Sequence, residues 1–346
     1  MLRPKRNDDD ISLFILSLLK LPGIGTKTVR KILSEHKTEI FGAERLDADF
    51  AETLNDQRLV KALEKAELTW EEAEREAFET LDHCRNNGVA VLNQFSIGYP
   101  SRLLRNENFP PLLFCKGDAS LLNQDKSVAI VGTRNPTEFG ARMGLRLAEL
   151  LAEDGYVIVS GLALGCDSLG HEGALAASGK TVAVLPTPVD APVYPRKNQD
   201  LANRILESGG ALVSEYVPGI ELNERQLVSN LVARDEWQPA LADGIIAIET
   251  SRSGGTRHAL QHAKKTNTPI AVFDYSKRAS VDFFNDERFG GNVDYLASGA
   301  SPIFEAQTIE DFKRRMDDYR NGAMRDGSSI ANRGEESCQT RLDFDC

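Results

Sequence analysis

Three short runs of this 346-residue chain place glycine beside a hydroxyl or a guanidinium where an apolar run ends. The first is Gly132-Thr133-Arg134, directly after Ser127–Val131. Glycine lets backbone approach a ligand, Thr133 offers a hydroxyl, and the planar fork of Arg134 matches two phosphate oxygens. The second runs from Ser160 through Gly161, Ala163, Gly165 and Cys166 to Asp167. Its small residues leave a bare backbone ahead of a helix whose dipole favours an anion. The third is Ser253-Gly254-Gly255-Thr256, which again opens a helix. One such loop is equally well a tight turn serving packing. Three of them at strand ends of one sheet point to a shared phosphate cradle. His171 follows Asp167 by one helical turn, so the two can meet on one helix face. That spacing reads as a structural pair pinning the second loop rather than as a catalytic dyad. No Ser, Cys or His stands in a nucleophile arrangement, so no catalytic residue is expected. Gly179-Lys180-Thr181 resembles the end of a phosphate-binding Walker loop. Its upstream partner Gly173 is one residue too far away, and the order is helix then strand, the reverse of what that loop needs. ATP hydrolysis is therefore not expected, and Lys180 is left as a positive charge near the sheet edge.

These loops need a sheet to hold them. Short apolar runs at 89–92, 112–115, 127–131, 156–160, 181–185, 211–213, 244–248 and 269–273 read as strands. From residue 127 on they alternate with amphipathic stretches at 139–153, up to Ala177, at 201–208 and at 258–265, which predicts a parallel sheet covered on both faces. Ahead of it, Ile11–Lys20 reads as a helix that Leu21-Pro22-Gly23-Ile24-Gly25 must break, and Thr26 is placed to cap a second helix running to about His36. Helix, glycine-containing hairpin, helix is the outline of a DNA-binding unit, and equally of a plain helical hairpin. Residues 45–85 are charged and helix-favouring, with Trp70 and Phe78 as anchors. Beyond residue 300 one helix is expected from Ile309 to Tyr319, then a polar tail (321–346) without structure. The predicted organisation is an α/β Rossmann-like parallel sheet with helices on both faces at 87–300, preceded by a small helix-hairpin-helix-like domain at 1–86 and followed by a C-terminal segment at 301–346.

The net charge of −11, from 41 Lys+Arg against 52 Asp+Glu, argues against a surface that binds nucleic acid everywhere. A local basic groove remains open to it, because fields are screened within roughly 8 Å at physiological salt. Five cysteines, an odd number with no metal-ligand spacing, support neither a disulfide frame nor a zinc site. A reducing cytosol fits, and no metal or cofactor is expected. No run of eighteen apolar residues is present, and Met1–Asp10 is charged, so neither a membrane span nor a signal peptide is expected.

Taken in order, the motifs resemble the DprA/Smf family of DNA-processing proteins, within the SLOG/Rossmann-like superfamily. The matching runs are Val128–Arg134, Val159–Asp167 with His171 and Ala174-Leu175, Thr181–Leu185, Asp190, Tyr194-Pro195, Asn198 and Ser214-Glu215-Tyr216. The segment from Tyr99-Pro100 to Lys116-Gly117-Asp118 fits the family's entry region. The resemblance implies a cytoplasmic single-stranded DNA-binding protein of DNA uptake and recombination. It further implies transfer of that DNA to a RecA-type recombinase and a homodimeric state. The family's pocket maps here onto Gly132, Thr133, Arg134, Gly161, Ala163, Gly165, Lys180, Arg196 and Lys197. Three features depart from the family pattern. Arg234-Asp235-Glu236 stands where the family has Arg-Asn-Arg. Ser253-Gly254-Gly255-Thr256 is closer to the turn of the related LOG/SLOG nucleotide-binding proteins. No winged-helix pattern follows at the C-terminus. An alternative reading is therefore a SLOG-type domain that senses or hydrolyses a nucleotide or nucleotide-sugar, with Arg234, Asp235, Glu236 and the Gly254–Thr256 turn in its site.

Overall fold

The run Ser127–Val131 is buried along its whole length, and its side chains alternate between two cores. Val128 and Ile130 enter one, Ala129 and Val131 the other. A strand apolar on both faces must be covered on both, and the computed structural model, which describes residues 8–277 and 282–339, shows how. Nine strands form one sheet: β1 (Val89–Asn93), β2 (Leu112–Gly117), β3 (Ser127–Val131), β4 (Val157–Ser160), β5 (Thr181–Val184), β6 (Ala211–Ser214), β7 (Ile245–Ala247), β8 (Ile270–Phe273) and β9 (Ser301–Ile303). Their spatial order is β1-β2-β6-β5-β4-β3-β7-β8-β9. The strands from β6 to β9 are mutually parallel. β2 runs antiparallel to β6, and β1 antiparallel to β2. The strands from residue 127 on are parallel as expected, and β1 and β2 ahead of them make the sheet mixed by adding an antiparallel edge. The connection from β1 to β2 carries no crossover α-helix, the usual link between parallel neighbours. β9 was not expected from sequence. Three residues centred on Pro302 give no periodicity, and Pro is tolerated there on an edge strand.

Among the described residues six helices precede the sheet: α1 (Asp8–Lys20), α2 (Thr26–Glu35), α3 (Lys37–Gly42), α4 (Ala48–Thr53), α5 (Gln57–Lys65) and α6 (Trp70–Asn86). The first two keep the hairpin read from sequence. The N-cap of α2 is Gly25, not Thr26, and it makes no side-chain cap. Trp70 is buried against Phe14, whereas Phe78 is 57% exposed and anchors nothing. Ile11, Phe14, Ile15 and Leu18 of α1 lie in one continuous core with Leu112, Phe114, Ala183 and Leu212 of the sheet. Asn93 of β1 adds polar ties, its Nδ2 donating to Ser12 Oγ (3.1 Å) and to the Asp8 carbonyl (3.0 Å). The helical segment is therefore packed onto one face of the sheet rather than tethered beside it.

The remaining helices are α7 (Glu138–Glu153), α8 (Cys166–Ala176), α9 (Gln199–Glu207), α10 (Glu224–Asp235), α11 (Trp237–Ala240), α12 (Thr256–Lys265), α13 (Gly290–Ala297) and α14 (Ala306–Gln339). α10 and α11 fill a segment to which periodicity assigned nothing. α10 buries only Arg234, and its Val228 and Val232, one helical turn apart, are exposed. α14 lays Phe312 and Met316 against Gly244 at the start of β7, where a Cβ would sit 2.7 Å from Met316. It continues to Gln339, into the polar segment read from sequence as unstructured. Residues 340–346 of that segment lie outside the described residues.

Candidate phosphate-binding cleft

From β3 the sheet grows one way through β4, β5 and β6, and the other way through β7, β8 and β9. The loops after β3 and β7 therefore diverge and leave a crevice at the strands' carboxyl ends, where open α/β sheets bind ligands. A cleft of about 460 Å³ occupies that point. It is lined by Gly132, Thr133 and Arg134 after β3, by Ala163 and Asp167 after β4, by Thr250, Ser251, Gly254, Gly255 and Thr256 after β7, and by Arg234, Asp235 and Gln238 from α10 and α11.

Backbone contacts hold the first wall. The Thr133 amide donates to the Glu249 carbonyl (2.7 Å), and the Cys166 amide donates to the Thr133 carbonyl (3.1 Å). A Cβ on Gly132 would sit 2.5 Å from Cys166 Sγ. Gly132 is thus glycine because the first two loops touch, and Gly165 for the same reason. Gly255 behaves differently: nothing lies within 4 Å of where its Cβ would be. Arg134 is exposed at the rim, without an ion-pair or hydrogen-bond partner among the described residues. Behind this wall Glu249 is fully buried. Its carboxylate accepts from the Thr137 amide (2.8 Å), the Thr137 hydroxyl (2.6 Å) and the Tyr275 hydroxyl (3.1 Å). A buried charge is tolerated when its lone pairs are so filled, and the network ties β7 to the start of α7.

The opposite wall centres on Arg234. Only 3% exposed, it comes from the last turn of α10. Its Nη1 lies 3.7 Å from Asp167 Oδ2, and its Nε lies 3.4 Å from Asp235 Oδ1. Nη1 also donates to the Val184 carbonyl (3.4 Å), while Nε has no hydrogen-bond acceptor among the described residues. Gly161 makes the room: a Cβ there would fall 1.2 Å from Arg234 Nη1. Burial pushes the Asp167 carboxyl above the usual carboxylate range, with Arg234 opposing the shift. Burial likewise pushes Asp235 up to about 6, Arg234 opposing and Asp167 adding. Gln238, 2% exposed, donates from Nε2 to Asp235 Oδ1 (3.2 Å), and its Oε1 has no donor among the described residues.

Several expected site residues lie elsewhere. Lys180 precedes β5, at the amino edge of the sheet, and its Nζ donates to the Ser208 carbonyl. The cleft lies at the other end of the strands, so this lysine cannot serve it. The Ser160 hydroxyl is buried and donates to the Ile130 carbonyl (2.6 Å), bracing β4 against β3. Ser253 is exposed outside the cleft, whose wall uses Ser251 in its place. Arg196 and Lys197 are exposed on the short turn after Pro195. Tyr194 and Pro195 line a small groove that shares Arg134, Ala163 and Arg234 with the cleft, but Arg196 and Lys197 line neither. Asp167 and His171 do not pair. His171 Nδ1 hydrogen-bonds Thr181 Oγ1 (2.6 Å), while Asp167 accepts from the Ala163 amide (3.3 Å). Burial holds the His171 imidazole down at about 3, hence neutral. Asp235 lines the cleft, whereas Glu236 turns to His262 (3.5 Å). Gln238, Thr250 and Ser251 were not anticipated. Only the switch-point geometry, which needs the strand order, could have singled them out.

Residues 90–314 match the protein family described as DNA recombination-mediator protein A. The chain is 32% identical over 237 residues to the DNA processing protein DprA of Streptococcus pneumoniae, covering 63% of this chain and 81% of that protein. It is 28% identical over 225 residues to DprA of Bacillus subtilis, covering 65% and 71%. The match to Protein Smf of Escherichia coli, 35% identical, spans 46% of this chain and 41% of that protein. Among solved structures, DNA processing protein A of Helicobacter pylori, studied for its single-stranded DNA binding mode, aligns with a TM-score of 0.53 and 27% identity over 69% of this chain and 96% of its own. The S. pneumoniae DprA crystal structure shares the fold, with a TM-score of 0.67 and 24% identity over 89% of this chain and 98% of that one. The matched region takes in every strand of the sheet except the first residue of β1, and all three loops of the cleft, and by that match the chain belongs to the DNA recombination-mediator protein A (DprA/Smf) family.

Proposed function

We propose that the protein binds single-stranded DNA in the switch-point cleft, without transforming it, and passes it to a RecA-type recombinase while acting as a homodimer. The observation that carries the binding step is the first wall. The exposed Arg134 lines the same cleft as Thr133 and as Gly255, whose backbone lies open at the start of α12. Backbone amides at a helix N-terminus and a free guanidinium are complementary to phosphate. A strand that can fold its backbone inward fits such a crevice, and a stiff duplex does not. The transfer and dimer steps rest on family membership. Among the described residues no helix is long and apolar enough to cross a membrane.

In a gel-shift titration, oligo-dT should bind more tightly than a duplex of equal length, and log affinity should fall with log salt by about 0.7 per phosphate contact. Equal affinity for both forms would sink the proposal. Arg134→Ala should weaken oligo-dT binding by about 1–3 kcal/mol, the loss usual for a charge-assisted hydrogen bond. Its melting temperature should barely move, because the side chain makes no contact that holds the fold. A large melting shift with unchanged affinity would make Arg134 structural. Lys180→Ala serves as the counter-test: from the far edge of the sheet it should leave oligo-dT affinity unchanged, and a loss comparable to that of Arg134→Ala would contradict the position of the cleft.

A further inference from the structure

The hairpin between α1 and α2 and one face of α5 border a crevice of about 430 Å³, which shares no lining residue with the switch-point cleft. Gly23 and Thr28 line it from the hairpin side, and Arg58, Lys61 and Lys65 from α5. Those three basic residues recur at helical spacing, so they stand on one face of α5. Arg58 pairs with Asp56 and with Glu35 at the end of α2, so its charge is already balanced and it ties α5 to α2. Lys61 and Lys65 are exposed, with no ion-pair partner among the described residues, and the same holds for Lys27 and Lys31 on α2. In a chain of net charge −11, unpaired cations gathered on two helices joined by an ion pair form a local field that attracts an anion. The hairpin backbone is bare as well. Gly23 stands at φ +78°, and nothing lies within 4 Å of where a Cβ would be on Gly23 or Gly25.

What the crevice lacks narrows its occupant. Sites for single strands combine a basic track with aromatic rings on which bases stack, and among the described residues no aromatic side chain lines this crevice. It offers cations and open backbone, the groups that contact phosphate and carry no sequence information. A duplex turns its bases inward and presents a dense row of phosphates at fixed spacing, and that is the ligand such a surface fits. We propose that the crevice is a second DNA site, which holds the backbone of a duplex through Lys61, Lys65 and the hairpin, while the cleft holds a single strand. Arg30 of α2 donates to the Phe109 carbonyl (2.6 Å) and to Asn108 Oδ1 (3.2 Å) in the connection from β1 to β2, so the hairpin is fixed relative to the sheet and to the cleft at its edge. A duplex with a single-stranded tail is the DNA that fills both sites. The crevice stands on its own observations, and only the preference for a tailed duplex rests on the reading of the cleft as a single-strand site.

Fluorescence anisotropy with three labelled DNAs tests this: a blunt duplex, oligo-dT, and the same duplex carrying a dT tail. Duplex affinity should fall with salt, and Lys61→Gln combined with Lys65→Gln should lower the log–log slope by about 0.9 for each lysine removed. The charge reversal Lys61→Glu with Lys65→Glu should weaken duplex binding by about ten- to a hundredfold, because like charges then face the phosphates. Both pairs change exposed side chains that hold no other element, so melting temperatures should stay, and the glutamine pair serves if the glutamate pair folds poorly. Oligo-dT affinity should be unchanged in both. The intact chain should bind the tailed duplex about tenfold or more tightly than oligo-dT, as two linked sites do, and the glutamate pair should lose that gain. A duplex that does not bind, or that keeps its affinity and salt slope in both variants, overturns the proposal. An equal loss of oligo-dT in the variants shows a single strand lying along the lysines and overturns the assignment to duplex. A tail that adds nothing overturns the joint use of the two sites. Failure of oligo-dT alone defeats the reading of the cleft instead, and the blunt duplex still decides the crevice.

Discussion

Replacing Gly165 by alanine is expected to cost the protein about 2–6 kcal/mol of stability and most of its affinity for oligo-dT. Gly165 sits at φ +80°, ψ −127°, a region open in practice only to glycine, and a non-glycine residue there is strained by about 1–3 kcal/mol. An added Cβ would also lie 2.4 Å from the Thr133 carbonyl oxygen and 2.6 Å from the Arg134 carbonyl carbon. Those are backbone atoms, so no side chain can swing away. The first loop must move, with an overpacking cost of about 1–3 kcal/mol. Because the atoms that move belong to Thr133 and Arg134, the same change displaces the donors proposed for phosphate. Gly255→Ala provides the contrast. Gly255 has helical φ and ψ, and open space where a Cβ would go. Stability should hold, and any loss of affinity then reports a ligand's close approach to that backbone. Urea denaturation with and without oligo-dT reads both effects. A Gly165→Ala variant with wild-type midpoint and affinity would show that the contact between the two loops does not hold the cleft.

Asp235→Asn should tighten oligo-dT binding by about three- to thirtyfold. At an effective dielectric of about 20, a unit charge roughly 8 Å from a phosphate is worth about 2 kcal/mol before screening, and the ion pair with Arg234 offsets part of it. Glu236→Arg should change little, because Glu236 faces His262 rather than the cleft. The same carboxyl predicts a pH dependence. Asp235 is held up at about 6, chiefly by burial, so lowering the pH through 6 neutralises it in the folded protein. The neutral form does not repel phosphate, so DNA binding takes up a proton and wild-type affinity should rise from pH 7.5 to pH 5.5. Asp235→Asn removes that group and should flatten the rise, leaving only what the buried Asp167 contributes. Fluorescence anisotropy with labelled oligo-dT at three pH values measures both slopes. An affinity that is flat in the wild type, or equally steep in the variant, would mean that Asp235 does not face bound phosphate.

How much of this could be read from the residues in order depends on the range of the interaction involved. β3 follows from five consecutive buried positions, and α7 and α12 from periodic faces beside glycine-bearing loops, because a strand or helix is specified by residues a few positions apart. The three loops, and with them Thr133, Arg134 and Thr256, were legible for the same reason. Order in space was not. β7 pairs with β3 across more than a hundred residues, and only that crossing makes a crevice of the Gly132 and Gly254 loops. The same crossing brings Arg234 between Asp167 and Asp235, buries Glu249 behind Thr137, and turns Glu236 away. Lys180 shows the converse. Its neighbourhood in sequence suggested a phosphate ligand, but the direction of β5 places it at the amino edge, a strand's length from the cleft. Asp167 and His171 are one helical turn apart, as the sequence requires, yet each found its partner on a different element. The sequence by itself determined which elements form and which loops are bare enough to receive an anion, since those depend on local backbone preference and burial. The tertiary structure alone decided which charges share the cleft, because a pairing across fifty or a hundred residues is set by strand order and helix crossing, and neither leaves a periodic trace in the chain.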